Sequence, residues 1–176
     1  MPANELYQQI LQHDVISFDI FDTLLERAFH TPSDLFYYIE AVEDEAGFAN
    51  ARIAAERQAF AQNSKNDRKI YEVTFDQIYN IIDKRYSHLK KKELFYEQKT
   101  ITATQFGKSL YNYAVSQGKD IVVVSDTYLD EKFIENILET RGYTKYNRLF
   151  VSSSHNKTKR DGNLFSLVSE YLGNSL

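Results

Sequence analysis

The stretch VISFDIFDTLLER, residues 15–27, places two carboxylates directly after a short apolar run. Its first four residues, VISF, are typical of a short strand that is buried on both faces. Asp19 and Asp22 follow this run. In open α/β sheets, ligands bind beyond the carboxyl ends of the strands, so both aspartates are candidate site residues. The alternative is a structural role, because Asp is also common in turns.

Two later apolar runs have the same form. IVVVSDT, residues 121–127, and RLFVSSS, residues 148–154, each predict a strand followed by hydroxyl side chains, and predicted helices separate them. The continuous apolar character of the first run favours a parallel strand that is covered on both faces. Because parallel strands end at one edge of a sheet, a carboxylate from the first strand end, a hydroxyl such as that of Ser125 and the ammonium of Lys157 or Lys159 are expected to converge there.

The segment between the first two strands is helical in character. No convincing strand occurs between residues 26 and 116, and helices are predicted to begin at Thr31, at Thr74 in the capping box TFDQ, and at Ser87. Residues 63–67 have the composition of a polar loop. The pattern therefore predicts an α/β core that is interrupted after its first strand by a helical insert of about 70 to 85 residues.

Composition excludes several classes of function. The 176 residues carry a formal charge of −4, and the one dense basic run, residues 90–92, fits a solvated helix face, so no nucleic-acid partner is expected. The absence of cysteine excludes disulfides and thiolate chemistry. No apolar segment has the length of a membrane span or a signal peptide, which favours a cytoplasmic location.

Arg52 and Glu56, one helical turn apart, are expected to form a surface ion pair.

The three strand ends resemble the motifs of the haloacid dehalogenase superfamily. FDIFDTLL, residues 18–25, is similar to the first motif, in which an apolar strand is followed by Asp, two or three residues and Thr-Leu. IVVVSDTYL, residues 121–129, is similar to the second motif. FVSSSHNKTKRDGNLF, residues 150–165, is similar to the third, and its spacing to GNLF favours Lys159 over Lys157 as the motif lysine.

The resemblance implies a fold and a domain division. The fold would be a three-layer, Rossmann-like parallel sheet of the α/β class with an inserted helical cap. Residues 1–28 and 102–176 would form the core, and residues 29–101 would form the cap above the site. The segments FDIFDTLLER and SDTYL resemble those of a branch of the superfamily that is often found beside bacterial glycosyltransferases in surface-polysaccharide systems. This resemblance makes a glycosyltransferase domain an expected partner.

The resemblance also implies a reaction. Asp19 would be the nucleophile that forms an aspartyl-phosphate, and it would bind Mg²⁺ together with the backbone carbonyl of Phe21. The substrate would be a small phosphorylated metabolite or a sugar phosphate. Ser125 and Lys159 would act with Asp19 in catalysis by stabilising the charge on the phosphoryl group. The implied phosphate-binding set is Thr23, Ser125, Asp126 and Lys159.

One departure from the superfamily pattern concerns the acid. Phosphatases of the superfamily place a second Asp two residues after the nucleophile, and this position is Phe21 here. Asp22 is a candidate acid or base, but strand alternation would start its side chain from the other face. Loss of general acid catalysis typically costs about 10²–10⁴-fold in rate. Substrates with good leaving groups, such as acyl phosphates or sugar nucleotides, would suffer least.

A second departure concerns the fourth motif, an apolar strand that ends in Gly-Asp or paired aspartates and completes the Mg²⁺ site. After Lys159 the only acids are Asp161 and Glu170, and neither follows a predicted strand. We expect the 176 residues to be part of a longer polypeptide. The alternatives are a weakly active or inactive accessory domain of a glycosyltransferase, or a dehalogenase that uses the same carboxylate without Mg²⁺ or an acid.

Overall fold

The structure is a computed structural model that describes residues 3–65 and 72–173. The strands are β1 (Val15–Phe18), β2 (Leu25–Arg27), β3 (Ile101–Ala103), β4 (Asp120–Ser125) and β5 (Arg148–Val151). The helices are α1 (Ala3–Gln12), α2 (Asp34–Val42), α3 (Phe48–Lys65), α4 (Phe75–Ile81), α5 (Lys90–Thr100), α6 (Gln105–Ser116), α7 (Glu131–Thr140), α8 (Ser152–His155) and α9 (Asn163–Tyr171), with a 3₁₀ helix at Lys84–Leu89. No helix within the described ranges is long and apolar enough to cross a bilayer.

The predicted parallel sheet is confirmed, with strand order β1-β4-β5. In the register, Phe18 lies opposite Val123 on one side of β4, and Ser125 lies opposite Val151 on the other. All but the first residue of β4 is buried, as its continuous apolar sequence predicts. The three strands therefore end at the same edge of the sheet, and residues that follow them become neighbours.

Helices cover both faces of this sheet, which makes three layers. On one face, Ile121 and Val123 pack with residues of α1, α6 and α7 in the larger apolar cluster. On the other face, Val122 and Val124 pack with α9 through Leu164 and other residues. This alternation follows from the two-residue period of a strand. The predicted α/β class and three-layer arrangement are confirmed.

Two short strands connect the sheet to the helical segment. β2 and β3 pair in antiparallel fashion, with Leu25 opposite Ala103 and Arg27 opposite Ile101, and helices α2 to α5 lie between them in the chain. The prediction of no strand between residues 26 and 116 is therefore wrong at β3 and at the end of β2. Three residues are too few for an alternating pattern to emerge in the sequence. The exact division into core and cap stays a prediction.

Helix starts agree with the sequence where a side chain caps the helix. Thr74 forms the predicted capping box: its hydroxyl accepts the Gln77 N–H at 3.2 Å, and the Gln77 side chain accepts the Thr74 N–H at 2.9 Å. The predicted start at Thr31 is wrong, because α2 begins at Asp34, whose carboxylate accepts the Thr31 N–H at 2.8 Å. Ser87 is not a cap either, because it lies inside the 3₁₀ helix and donates to a backbone carbonyl of the preceding turn.

The polar loop predicted over residues 63–67 is also placed differently. Helix α3 extends through Lys65, so residues 63–65 are helical. Asn63 is buried and its amide donates to the Glu72 carbonyl at 2.9 Å, which gives this polar residue a structural use. The remainder of the predicted loop, residues 66 and 67, lies outside the described residues.

The helical segment between β2 and β3, which is called the cap below, encloses a charged cluster. Arg52 is fully buried, and its Nε donates to both Glu93 oxygens at 3.1 and 3.0 Å. The Tyr79 hydroxyl donates to Glu93 at 2.6 Å. The predicted pair with Glu56 is present at 2.8 Å, but its prediction as a surface pair is wrong, because Glu93, 41 residues away in sequence, draws Arg52 into the interior. Burial opposes the charge of Arg52, yet the Glu93 carboxylate raises the Arg52 pKa, so the guanidinium stays charged.

Candidate active site

A tight turn follows β1 and carries three of the predicted site residues, Phe21, Asp22 and Thr23. The Leu24 and Leu25 N–H groups both donate to the Ile20 carbonyl, at 2.9 and 2.8 Å, and the Asp22 N–H donates to the Leu25 carbonyl at 2.7 Å. Ile20, Leu24 and Leu25 are completely buried, whereas Asp22 has a φ of 61° and is exposed. The apolar residues anchor the turn, and Asp tolerates this left-handed backbone better than most residues.

The first residues of α6 pack against this turn and form a hydrogen bond with it. The Thr104 hydroxyl, which caps α6, also donates to the Thr23 carbonyl at 2.5 Å. Gly107 allows this approach, because a Cβ at position 107 would lie 2.0 Å from the Thr23 carbonyl oxygen. The buried Tyr143 hydroxyl donates to the Leu24 carbonyl at 2.7 Å. The sequence did not single out these supporting residues, since their contacts join distant parts of the chain.

The structure brings Asp19 and Lys159 into direct contact. Lys159 Nζ lies 2.5 Å from Asp19 Oδ1, and the two side chains are 27% and 39% exposed, respectively. The Lys159 backbone N–H donates to both carboxylate oxygens of Asp126, at 2.8 and 3.1 Å. The Asp126 carboxylate therefore fixes the loop that carries Lys159. Only the backbone amide of Asp126 is left for the predicted contact with a phosphate.

Ser125 is the last residue of β4, and Ser152 directly follows β5. Ser125 is 1% exposed, and its hydroxyl has no hydrogen-bond partner within the part of the chain that the structure describes. The Ser152 hydroxyl accepts the Thr127 N–H at 2.8 Å and donates to the cap residue Glu72 at 2.7 Å. Burial raises the pKa of Glu72, hydrogen bonds oppose this, and the Asp126 carboxylate raises it further. Sequence reasoning missed Glu72, since nothing in its local pattern marks it.

Phe21 and Asp22 take different directions from the turn. The Phe21 ring packs under Arg27, whose Cζ lies 3.7 Å from the ring centroid. Asp22, despite the expectation from strand alternation, lines the same cavity as Asp19 and Thr23, because its positive φ redirects the chain. This cavity of about 520 Å³ continues between β1 and helices α1 and α6. The acid or base role of Asp22 stays a prediction.

The described residues do not by themselves form a Mg²⁺ site. No group of three or more His, Cys, Asp or Glu side chains within residues 3–65 and 72–173 is placed to hold a metal ion. Asp19 offers one carboxylate oxygen beside the one that contacts Lys159, and Phe21 offers a carbonyl. Mg²⁺ requires near-octahedral oxygen coordination and usually keeps several waters. Two oxygens are too few to define such a site.

Comparisons with known proteins identify the fold. No protein-family model and no curated protein matches the chain. Among solved structures, it is similar to L-2-haloacid dehalogenase from Xanthobacter autotrophicus, at a TM-score of 0.55 and 12% identity over 91% of this chain and 65% of that one. The same values hold for that enzyme with chloropropionic acid covalently bound. A dehalogenase with an intermediate complex gives a TM-score of 0.56 and 13% identity, over 91% of this chain and 71% of that one.

The similarity concerns the fold and covers only part of the Xanthobacter enzyme. The chain spans 65% of the length of that enzyme, less than two thirds. At identities of 12% and 13%, the similarity shows a shared fold and carries no information about the reaction. The chain has the α/β fold of these haloacid dehalogenase structures, with Asp19 and Lys159 in contact at the carboxyl edge of its sheet.

Proposed function

We propose that this chain is a hydrolase domain in which Asp19 takes a phosphoryl group from a small phosphorylated metabolite or sugar phosphate. The observation that carries the proposal is the 2.5 Å contact between Lys159 Nζ and Asp19 Oδ1, beside the buried Ser125 on the neighbouring strand. Lys159 orients the carboxylate and leaves Oδ2 free to attack. A cation and a hydroxyl at this edge also suit the negative charge of a phosphoryl group.

The reaction would proceed in two displacements. Asp19 Oδ2 attacks phosphorus, the bond to the leaving oxygen breaks with its electron pair, and an aspartyl-phosphate forms. Water then attacks this intermediate, releases inorganic phosphate and regenerates the carboxylate. Lys159 and Ser125 would donate to the phosphoryl oxygens in both steps. Because Phe21 cannot protonate the leaving oxygen, acyl phosphates and sugar nucleotides are the favoured substrates.

Mg²⁺ belongs to the proposal as the expected cofactor. A cation between a carboxylate and a phosphate would reduce their mutual repulsion. The ligands that we assign to this chain are an Asp19 oxygen and the Phe21 carbonyl. The test is the dependence of turnover on added Mg²⁺ after treatment with a chelator, and turnover that is unchanged by the chelator would remove the cofactor from the proposal.

A second candidate is dehalogenation, which the Phe21 side chain favours. In this reaction Asp19 would attack a carbon atom, the carbon–halogen bond would break and release halide, and water would hydrolyse the resulting ester. Neither an acid nor a metal ion is needed. One similar solved structure is described with chloropropionic acid covalently bound, which makes a 2-haloacid the substrate to test.

One experiment separates these candidates. Phosphate release from p-nitrophenyl phosphate with Mg²⁺ and chloride release from 2-chloropropionate would be measured for the wild type and for Asp19→Asn. The phosphatase proposal expects phosphate release that Asp19→Asn abolishes, and the dehalogenase candidate expects the same pattern for chloride. Equal rates in the two proteins would refute a role for Asp19. A folded wild type that is inactive on both would favour the third candidate, a non-catalytic accessory domain of a glycosyltransferase.

A further inference from the structure

The cap contacts the loop that follows Ser125 through one aromatic residue, Tyr128. The Tyr128 carbonyl accepts the Phe75 N–H at 2.9 Å, and the two rings stack with centroids 6.1 Å apart and planes 15° apart. The guanidinium carbon of Arg52 lies 4.9 Å from the Tyr128 ring centroid. The cap therefore holds Tyr128 by its backbone, by ring stacking and by a cation–π contact.

Arg52 is itself held firmly. Beyond its hydrogen bonds to Glu93 and Glu56, its guanidinium carbon lies 4.5 Å from the Phe36 ring centroid, and the side chain is fully buried. A buried guanidinium cannot move without leaving a charge unpaired, which is costly. Apolar side chains of similar volume often stabilise such an interior at least as well. The presence of a charge here therefore points to a use other than stability.

The position of Tyr128 bears directly on the site. Tyr128 is three residues from Ser125 and two from Asp126, whose carboxylate holds the Lys159 backbone N–H. Lys159 in turn contacts Asp19. A shift of this loop would displace both the hydroxyl and the ammonium relative to the carboxylate. A displacement of about 1 Å in a catalytic constellation can cost about 100-fold in rate.

We propose that Arg52 is a positioning residue. Through the Tyr128 ring it keeps the loop of residues 125–128 in a fixed position relative to the Asp19 carboxylate. Arg52 itself touches no reacting atom. The inference rests on the proposed function, because the position of this loop affects turnover only if Ser125, Lys159 and Asp19 act together.

The first test uses Tyr128 and leaves the buried ion pair intact. Tyr128→Leu removes the ring and is expected to lower kcat on p-nitrophenyl phosphate by about 10- to 100-fold, with KM changed by less than about threefold. Tyr128→Phe keeps the ring and should retain wild-type kcat, because the Tyr128 hydroxyl has no hydrogen-bond partner among the described residues. Equal kcat for the Leu and Phe variants would overturn the proposal.

The second test acts at Arg52. The double variant Arg52→Met/Glu93→Leu replaces the buried pair by apolar side chains, is expected to fold, and should show the same loss of kcat as Tyr128→Leu. Arg57→Met is the matched control, because Arg57 lies on the same helix, is exposed and has no ion-pair partner within the described residues. A folded double variant with unchanged kcat would overturn the proposal.

An activity-independent measurement separates the inference from the proposed function. Hydrogen exchange of the peptide covering residues 125–129 should be faster in Tyr128→Leu and in the double variant than in the wild type, and unchanged in Arg57→Met. If the wild type hydrolyses nothing, the proposed function fails, and faster exchange in both variants still supports the hold of Arg52 on the loop, whereas unchanged exchange overturns it. Unchanged exchange in an active protein overturns the positioning role alone.

Discussion

Two contacts between a cation and a carboxylate, one in the cap and one at the sheet edge, share their chemistry and differ in their surroundings. In the cap, the side chains of Arg52 and Glu93 are 0% and 2% exposed. At the sheet edge, those of Lys159 and Asp19 are 27% and 39% exposed. Exposure decides what each pair can do, because a buried charge must be fully paired whereas a half-exposed charge can also bind something else.

The hydrogen bonds of the two carboxylates show this difference. Both Glu93 oxygens accept from Arg52 Nε, and one also accepts from Tyr79. Arg52 Nη2 lies 3.0 Å from Glu93 as well, but without the geometry of a hydrogen bond. Asp19 accepts only from Lys159 within the described residues, and through one oxygen. We call the Arg52–Glu93 pair closed because both Glu93 oxygens are occupied, and the Lys159–Asp19 pair open because Asp19 keeps one oxygen for a substrate.

The largest expected effect is on the closed pair. Glu93→Ala leaves the buried Arg52 charge uncompensated, so we expect a loss of about 3–5 kcal/mol in the free energy of unfolding, measured by urea denaturation. Arg52→Met/Glu93→Leu removes both charges and should recover most of that loss. A loss below about 1 kcal/mol for Glu93→Ala would show that the pair is not closed in the way described.

The open pair should respond in the opposite way. Lys159→Met is expected to change the free energy of unfolding by less than about 1 kcal/mol, because both partners are partly solvated. Hydrolysis of p-nitrophenyl phosphate should fall by about 10²–10³-fold, since a preorganised donor to the phosphoryl group is lost. Lys157→Met is the matched control and should keep its activity. A stability loss as large as that of Glu93→Ala would assign the pair to structure instead.

A smaller effect is expected at Gly107, where α6 packs against the turn that follows β1. Gly107→Ala would place a methyl group against the Thr23 carbonyl and should cost about 1–3 kcal/mol through overpacking, measured by thermal or urea unfolding. Ser109→Ala, at an exposed position of the same helix, is the control and should change stability by less than about 0.5 kcal/mol. If Gly107→Ala is more stable than the wild type, helix propensity outweighs the clash and the turn is not tightly supported.

Much of the open pair's setting was predictable from sequence. Runs of four residues predicted β1, β4 and β5, and the rule that parallel strands end together predicted that a carboxylate and a lysine would approach each other. The family resemblance selected Asp19 and Lys159 for this pair, and the structure places them in contact. Strand alternation did not place the Asp22 side chain, because alternation holds only within a strand and the Asp22 φ of 61° belongs to a turn. A turn depends on buried anchors and on support from distant helices, which local pattern does not contain.

The closed pair was not predictable in the same way. Arg52 and Glu56 form the one-turn spacing that predicts a surface pair, whereas Glu93 lies on another helix 41 residues away. β3 was missed for a related reason, since three residues become a strand only through pairing with β2. Sequence patterns report local periodicity, and both features depend on tertiary contacts.

The smallest expected effect concerns Glu72, a third carboxylate. It forms no ion pair with any of the described residues. The pKa of Glu72 is raised above its usual range, first by burial and further by the Asp126 and Glu56 carboxylates. A raised carboxyl pKa means that folding favours the protonated form, so stability is lost as pH rises through the folded-state pKa. Glu72→Gln should therefore raise Tm at pH 7 and leave it unchanged near pH 4, whereas the exposed control Glu26→Gln should change neither. A lower Tm at pH 7 would show that the Glu72 charge is favourable where it meets Ser152.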